Sequence, residues 1–282
     1  MKTPARLQSL IDEGLIDTVV RQLMSGKEAK VYVVRSGAET RCAKVYKESI
    51  HRSFRQAVDY TENRTVRNTR QARAMAKGTR FGRQATEAAW QSAEVDALYR
   101  LAAAGVRVPT PFNFLDGVLL MELVTDEHGE AAPRLNDVAL EPEEARTLHQ
   151  TLLRELVRML RAGVIHGDLS EFNILLAADG PVIIDLPQAV DAAGNNHAKR
   201  MLLRDVENLK NFFGRFAPEL LDTDYGNEIW SLYEQGSLPA DVSLTGTFVH
   251  SSAPVDVEGV IQQIDDAIAE EAARRLRMLE GC

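Results

Sequence analysis

Apolar positions along this chain follow two periods, and the change from one to the other divides it. Between residues 18 and 47 they come in short runs broken by Gly26 and Gly37, a pattern of strands joined by tight turns. The spacing predicts a strand from Thr18 to Met24, a polar turn near Ser25 to Lys30, a second strand through Val34, and a third over Arg41-Cys42-Ala43-Lys44-Val45-Tyr46-Lys47. A helical stripe follows, with Trp90, Ala93, Ala97 and Leu101 on one face and Glu94 one step from that seam. Gly105 stops it. Val106 to Pro111 reads as a connector because its prolines resist regular structure, and Phe112 to Leu115 and Val118 to Val124 return to strand.

Past residue 140 the helical period dominates. Ala145, Leu148, Leu152, Leu156 and Met159 form a packed face within Glu143 to Leu160. Further helices are expected over Met201 to Phe216, Tyr225 to Tyr233, and Val255 to Leu279, the last dense in charge. Between Leu160 and Met201 lies Val164-Ile165-His166-Gly167-Asp168-Leu169-Ser170-Glu171-Phe172-Asn173, then two apolar runs, Asn173 to Leu176 and Val182 to Ile184, separated by the turn residues Ala177 to Gly180. Paired as a hairpin, these runs bring Asn173 beside Asp185. An α+β fold follows, with a small β-rich N-lobe and a larger, mainly helical C-lobe. The expected divisions are a helical extension at 1–17, the N-lobe at 18–121 with an insertion near 60–84, hinge and C-lobe at 122–245, and a second helical extension at 246–282.

Composition narrows the setting. With 282 residues, 45% of them hydrophobic and 26% charged, the chain can bury a substantial core, and no apolar run reaches the length that spans a bilayer. The opening, Met1 to Arg6, lacks the apolar segment of a secretory signal, and two cysteines, Cys42 and Cys282, fit a reducing compartment, so a cytoplasmic protein without membrane partners is expected. Cys42, inside a predicted strand, reads as a small buried apolar group. The net charge of -8 conceals a basic stretch, Arg64, Arg67, Arg70, Arg73, Lys77, Arg80 and Arg83, with no acid among them. Three roles stay open for it: closing over a nucleotide, presenting arginines to a partner such as RNA or a ribonucleoprotein, or remaining solvated.

Chemistry concentrates at the C-lobe motif. Asp168 can accept or orient a hydroxyl proton, while Asn173 and Asp185 supply hard oxygen donors suited to Mg2+ or Mn2+ on a nucleotide's phosphates. Strand alternation turns Lys44 toward the same cleft, where a lysine needs phosphate and carboxylate partners, and Glu94 is the expected carboxylate. Gly26 permits close approach of backbone to phosphate, but the segment lacks the P-loop pattern, so Lys27 is no Walker lysine. Backbone groups around Glu122 and Val124 are placed to read adenine, with Met121 as an apolar wall. His149, with no second ligand spaced beside it, reads as a packing residue.

These pieces resemble the RIO family of atypical protein kinases, most closely its Rio1-like branch and bacterial members. The match lies in Ser25-Gly26-Lys27-Glu28-Ala29-x-Val31-Tyr32, Ala43-Lys44-Val45-Tyr46-Lys47, Trp90-x-x-x-Glu94, His166 to Asn173, and Ile183-Ile184-Asp185-Leu186-Pro187-Gln188. The resemblance implies a two-lobed protein-kinase-like fold, with ATP and Mg2+ (or Mn2+) as cofactors. It assigns the nucleotide loop to Ser25, Gly26, Lys27, Glu28, Ala29 and Val31, phosphate contact to Lys44 with Glu94 as its partner, catalysis to Asp168, and metal binding to Asn173 and Asp185. It implies a serine kinase acting on protein or on itself, or alternatively an ATPase switch, in which the counterpart of Asp185 itself receives phosphate. Gly167 stands where ordinary protein kinases carry arginine, Asp185-Leu186-Pro187 lacks their following glycine, and no Ala-Pro-Glu element or extended activation segment comes before the basic helix beginning near His197.

Overall fold

A computed structural model describes residues 4–26, 28–47 and 93–249. Lys27, Trp90, the basic stretch and the helix expected over Val255 to Leu279 lie outside the described residues. The N-terminal part is a five-stranded antiparallel sheet, ordered β1-β2-β3-β5-β4, built from β1 (Thr18–Ser25), β2 (Ala29–Ser36), β3 (Glu39–Tyr46), β4 (Pro111–Leu115) and β5 (Val118–Glu122). Asp116 and Gly117, at φ 49° and 71°, make the β4–β5 reversal with two consecutive left-handed residues, the geometry that matches the twist of a short hairpin.

Alternation along the central strand β3 separates two environments. Ala43 and Val45 join Tyr32, Val34, Val118 and Leu120 on one face, which is sealed by Leu7 and Leu10 of α1 (Ala5–Asp12) together with Ile16. Cys42 and Lys44 take the opposite face, toward a cleft. On that side lies α2, described over residues 93–103. Its buried positions are Glu94, Val95, Leu98 and Leu101, with Ala97 only partly covered. The expected seam through Ala93 and Ala97 is therefore displaced, because Glu94 is itself drawn inward by charge and hydroxyl partners on β3.

The C-terminal part is organised on three helices, α3 (Pro142–Arg161), α4 (Ala198–Phe213) and α5 (Tyr225–Glu234). Helix α3 begins with Pro142 in its first turn, and the Glu144 carboxylate accepts the Glu141 N–H, a reciprocal cap. Its Ala145, Leu152, Leu153, Leu156, Met159 and Leu160 are buried against Met201, Leu202, Leu209 and Phe213 of α4, in a core that also takes in Val95, Leu98 and Leu101 of α2. Four short strands complete the frame: β6 (Val164–Ile165) pairs with β9 (Val190–Asp191), and β7 (Ile174–Ala177) with β8 (Gly180–Ile183). Asn173 closes a short 3-10 turn, Glu171–Asn173, instead of opening β7. His149 is fully buried, edge-on to Phe213 and beside Tyr225, with neither ring nitrogen hydrogen-bonded. Burial pushes its imidazole down to about 4, as a packing residue requires. The architecture is α+β, β-rich at the N-terminal end and helical at the C-terminal end.

Leu152 is wholly buried between these helices. Leu152→Ala should destabilise the protein by about 3 kcal/mol, measured by urea unfolding; a loss below about 1 kcal/mol would show that the helices collapse onto the vacancy.

Candidate active site

The cleft between the two parts is built around an amine. Lys44 in β3 donates to the Glu94 carboxylate at 2.5 Å and to the Asp185 carboxylate at 2.9 Å. Burial alone would lower the lysine; the carboxylates of Glu94 and Asp185 overcome it and hold the ammonium well above its ordinary value. Burial would likewise raise Asp185, but Lys44 holds that carboxyl below the usual range. The far oxygen of Glu94 accepts the Tyr46 hydroxyl at 2.8 Å, so a buried acid (6% exposed) is fixed from both sides. Tyr46 escaped the sequence reading, although its place two residues after Lys44 puts it on the same face of the strand.

The loop holding Asp168 is suspended from α4. Asp205 is fully buried and accepts the Gly167 N–H at 2.8 Å and the Leu169 N–H at 2.9 Å, while Arg204 donates to the Gly167 carbonyl and Asn208 to the Leu169 carbonyl. Gly167 has φ 78°, which a side chain would oppose. His166 crosses beneath. Its Nδ1 accepts the Asp168 N–H at 3.3 Å, which places the proton on Nε2, facing the Ile184 carbonyl at 3.0 Å. The Asn173 amide donates to the Asp168 carbonyl at 2.8 Å, and the Asn173 carbonyl accepts the Ile184 N–H at 2.9 Å. His166 and Asn173 thereby link Asp168 to Ile184, the residue before Asp185. Asp185 adopts φ 66°, a strained conformation for a non-glycine residue that aims its half-exposed carboxylate at Lys44.

These groups share one cleft of about 670 Å3 with Gly26, Glu28, Ala29, Val31, Met121, Glu122 and Val124. Ser25 ends β1 and does not line it, and Glu94 stands behind Lys44. The Glu122 carboxylate turns away to Arg107 and Thr110, and the Glu122 N–H is taken by the Thr110 carbonyl. Ala132 N–H takes the Val124 carbonyl. Leu23, Met24, Pro109, Arg134 and Gln188 also line the cleft, and the sequence reading had assigned none of them. Cys42, also in the wall, is pushed up to about 12 by burial against the lowering effect of Lys44, which suits an inert thiol. Among the described residues no group of three or more His, Cys, Asp or Glu side chains forms a self-sufficient metal cage. A carboxylate and an amide oxygen facing a cleft form a hard but incomplete donor set, the kind that takes a cation together with a ligand's own oxygens.

Residues 30–225 match the model of the RIO domain. The chain belongs to the RIO family. It is 35% identical over 214 residues to the RIO-type serine/threonine-protein kinase Rio1 of Haloferax volcanii, a match covering 76% of this chain and 69% of the relative. It is 31% identical to the serine/threonine-protein kinase rio1 of Schizosaccharomyces pombe, covering 76% of this chain and 42% of that protein, and 31% identical to human serine/threonine-protein kinase RIO1, with 76% and 36% covered. The chain thus spans less than half the length of these two relatives. Among solved structures, the Rio2 kinase of Chaetomium thermophilum in its ADP/Mg2+-phosphoaspartate complex superposes with a TM-score of 0.55 over 93% of this chain and 75% of that one. At 21% identity that likeness carries the kinase-like fold.

In this RIO domain the suspension of the Asp168 loop should respond to pH. Burial pushes the Asp205 carboxyl up to about 6, with His166 and the two loop N–H groups opposing it. Because the folded value is raised, the contribution of Asp205 to stability is full below about pH 4 and is lost as pH rises through about 6. The amide resonances of Gly167 and Leu169 should titrate together near pH 6, and Asp205→Asn should abolish that titration. Amide shifts flat between pH 5 and 7 would contradict the link.

Proposed function

We propose that this RIO-family protein is an ATP-dependent kinase of the Rio1-like branch, akin to its bacterial members, and that it transfers the γ-phosphoryl group to serine hydroxyls of a protein or of itself. The observation carrying this reading is Lys44 held between Glu94 and Asp185 on the wall of a cleft that also collects Asp168 and Asn173. Gly26, Glu28, Ala29 and Val31 would cover the phosphates, while Met121 and the backbone of Glu122 and Val124 receive the base. The Glu122 N–H and the Val124 carbonyl are already engaged, by Thr110 and Ala132. Asn173 and Asp185 would hold Mg2+ or Mn2+, and the ion when bound neutralises the phosphate oxygens and fixes their direction.

In the transfer itself, Asp168 orients the serine hydroxyl and takes its proton as the oxygen attacks phosphorus. The new P–O bond forms as the bond to the departing ADP oxygen breaks. Lys44 supplies fixed positive charge, and its anchoring by Glu94 and Tyr46 means that little reorganisation is needed when the phosphates arrive. The cytoplasm is the proposed setting; among the described residues no helix is long and apolar enough to cross a membrane. Protein substrates, and RNA or ribonucleoprotein partners for the basic stretch, belong to the same proposal.

A second reading, an ATPase switch acting on a partner, draws on the half-exposed Asp185 carboxylate at the cleft wall and on the phosphoaspartate named for the solved Rio2 kinase. The two are separated by incubating purified protein with γ-labelled ATP and analysing phosphoserine and acid-labile acylphosphate independently. Serine transfer should dominate and should fall by roughly a hundredfold or more in Asp168→Asn. Label found only as acylphosphate, with free phosphate released, would favour the switch; full serine transfer by Asp168→Asn would remove Asp168 from the role given it.

A further inference from the structure

Four residues from three elements of the structure meet on one residue of the segment between α2 and β4. The Arg107 guanidinium donates to both oxygens of Glu122, at 3.0 and 2.9 Å, and to both oxygens of Asp179, at 3.1 and 3.3 Å. Its backbone N–H donates to the buried Glu155 carboxylate of α3 at 3.0 Å, and its carbonyl accepts the Ile183 N–H at 2.9 Å. Glu122 ends β5 at the proposed base site. Asp179 lies in the turn of the β7–β8 hairpin, and Ile183 ends that hairpin two residues before Asp185. The planar fork of an arginine can serve two carboxylates at fixed angles, which an ammonium cannot do. The Arg107 and Glu122 side chains are only 29% and 27% exposed, so this pair is better shielded from solvent than a surface ion pair.

We propose that Arg107, acting through Glu122 and Asp179, is a positioning residue that sets the span between the base end of the cleft and the Asn173–Asp185 end. The inference rests on the nucleotide reading above and deepens it. A nucleotide reaches both ends at once, so its phosphates line up with Asp168 only if the hairpin stays in register with the hinge. Adenosine, which lacks phosphates, engages the base end alone and is indifferent to that register.

The test uses the full chain, with Asp179→Asn, Arg107→Lys and the double variant. Each should bind adenosine within about twofold of the parent, while phosphotransfer at saturating ATP falls by roughly tenfold to a hundredfold, the scale set by sub-ångström to ångström misplacement of reacting groups. The double variant should be no slower than Arg107→Lys alone, because both break one linkage. Asp179→Asn transferring at the parental rate, or losses that multiply in the double variant, would overturn the proposal. Should Arg107→Lys fold poorly, Asp179→Asn carries the test, since that carboxylate is 64% exposed. A parent protein that neither binds adenosine nor transfers phosphate would refute the nucleotide reading instead. The clamp is then judged by hydrogen exchange of the Ile183 amide, which Asp179→Asn should accelerate about tenfold; unchanged exchange would refute the clamp.

Discussion

The contact on which the cleft depends is the ammonium of Lys44 between two carboxylates from distant parts of the chain. Glu94 is buried, and a buried carboxylate without a counter-charge is costly; removing one partner of such a pair typically costs about 3–5 kcal/mol. Asp185 differs, because its side chain is half exposed and can exchange one cationic partner for another. The asymmetry sets a division of labour. Glu94 and Tyr46 hold the lysine permanently, whereas the bond to Asp185 is the one that ligands in the cleft can share. The same contact joins β3 to the segment after β8, so the electrostatics of the site also brace the two parts of the molecule.

A second constraint is the set of polar contacts to the backbone of the Asp168 loop, which add to the burial of Leu169 in the core. Asp205 receives two N–H groups, Arg204 and Asn208 reach two carbonyls, and His166 joins the N–H of Asp168 to the carbonyl of Ile184. Backbone hydrogen bonds fix position without engaging side chains, which leaves the Asp168 carboxylate exposed. Gly167 is needed because its N–H and carbonyl must both turn inward at a positive φ. The arginine that ordinary kinases carry at this point could not take that backbone conformation without strain, and here the inward guanidinium comes from Arg204 of α4 instead.

Much of this was legible in the order of residues. Strand alternation correctly sent Lys44 to the cleft and Ala43 and Val45 to the opposite core, and the hairpin turn brought Asn173 alongside Ile184 and Asp185. Arg204 and Asp205 lie on the helix expected over Met201 to Phe216, and from there they reach the Asp168 loop. The failures share a cause. The face of α2 was read from apolar spacing, which cannot show that a buried carboxylate occupies the seam when its partners are fifty residues away. Arg107 was passed over inside a connector, since its partners Glu122, Glu155 and Asp179 have no periodic relation to it. Cleft residues such as Pro109, Arg134 and Gln188 come from loops, where side-chain direction follows from tertiary packing and not from any local period.

The stretch from Asp185 to α4 bears on how a protein substrate could be received. In ordinary kinases an extended activation segment leaves the metal-binding aspartate and presents a platform. Here Leu186, Ala189 and Val190 are buried within the C-terminal core, Val190 pairs with Ile165 in β9, and the chain enters α4 at Ala198. Such a segment cannot swing outward without exposing core side chains, at a cost of roughly 1.5–3 kcal/mol for each large one. The positive φ of Asp185 is part of the same arrangement, since it turns the chain inward immediately after the carboxylate. In the proposed transfer a serine hydroxyl would therefore reach Asp168 without such a platform; Phe172, the residue before Asn173, stands 48% exposed.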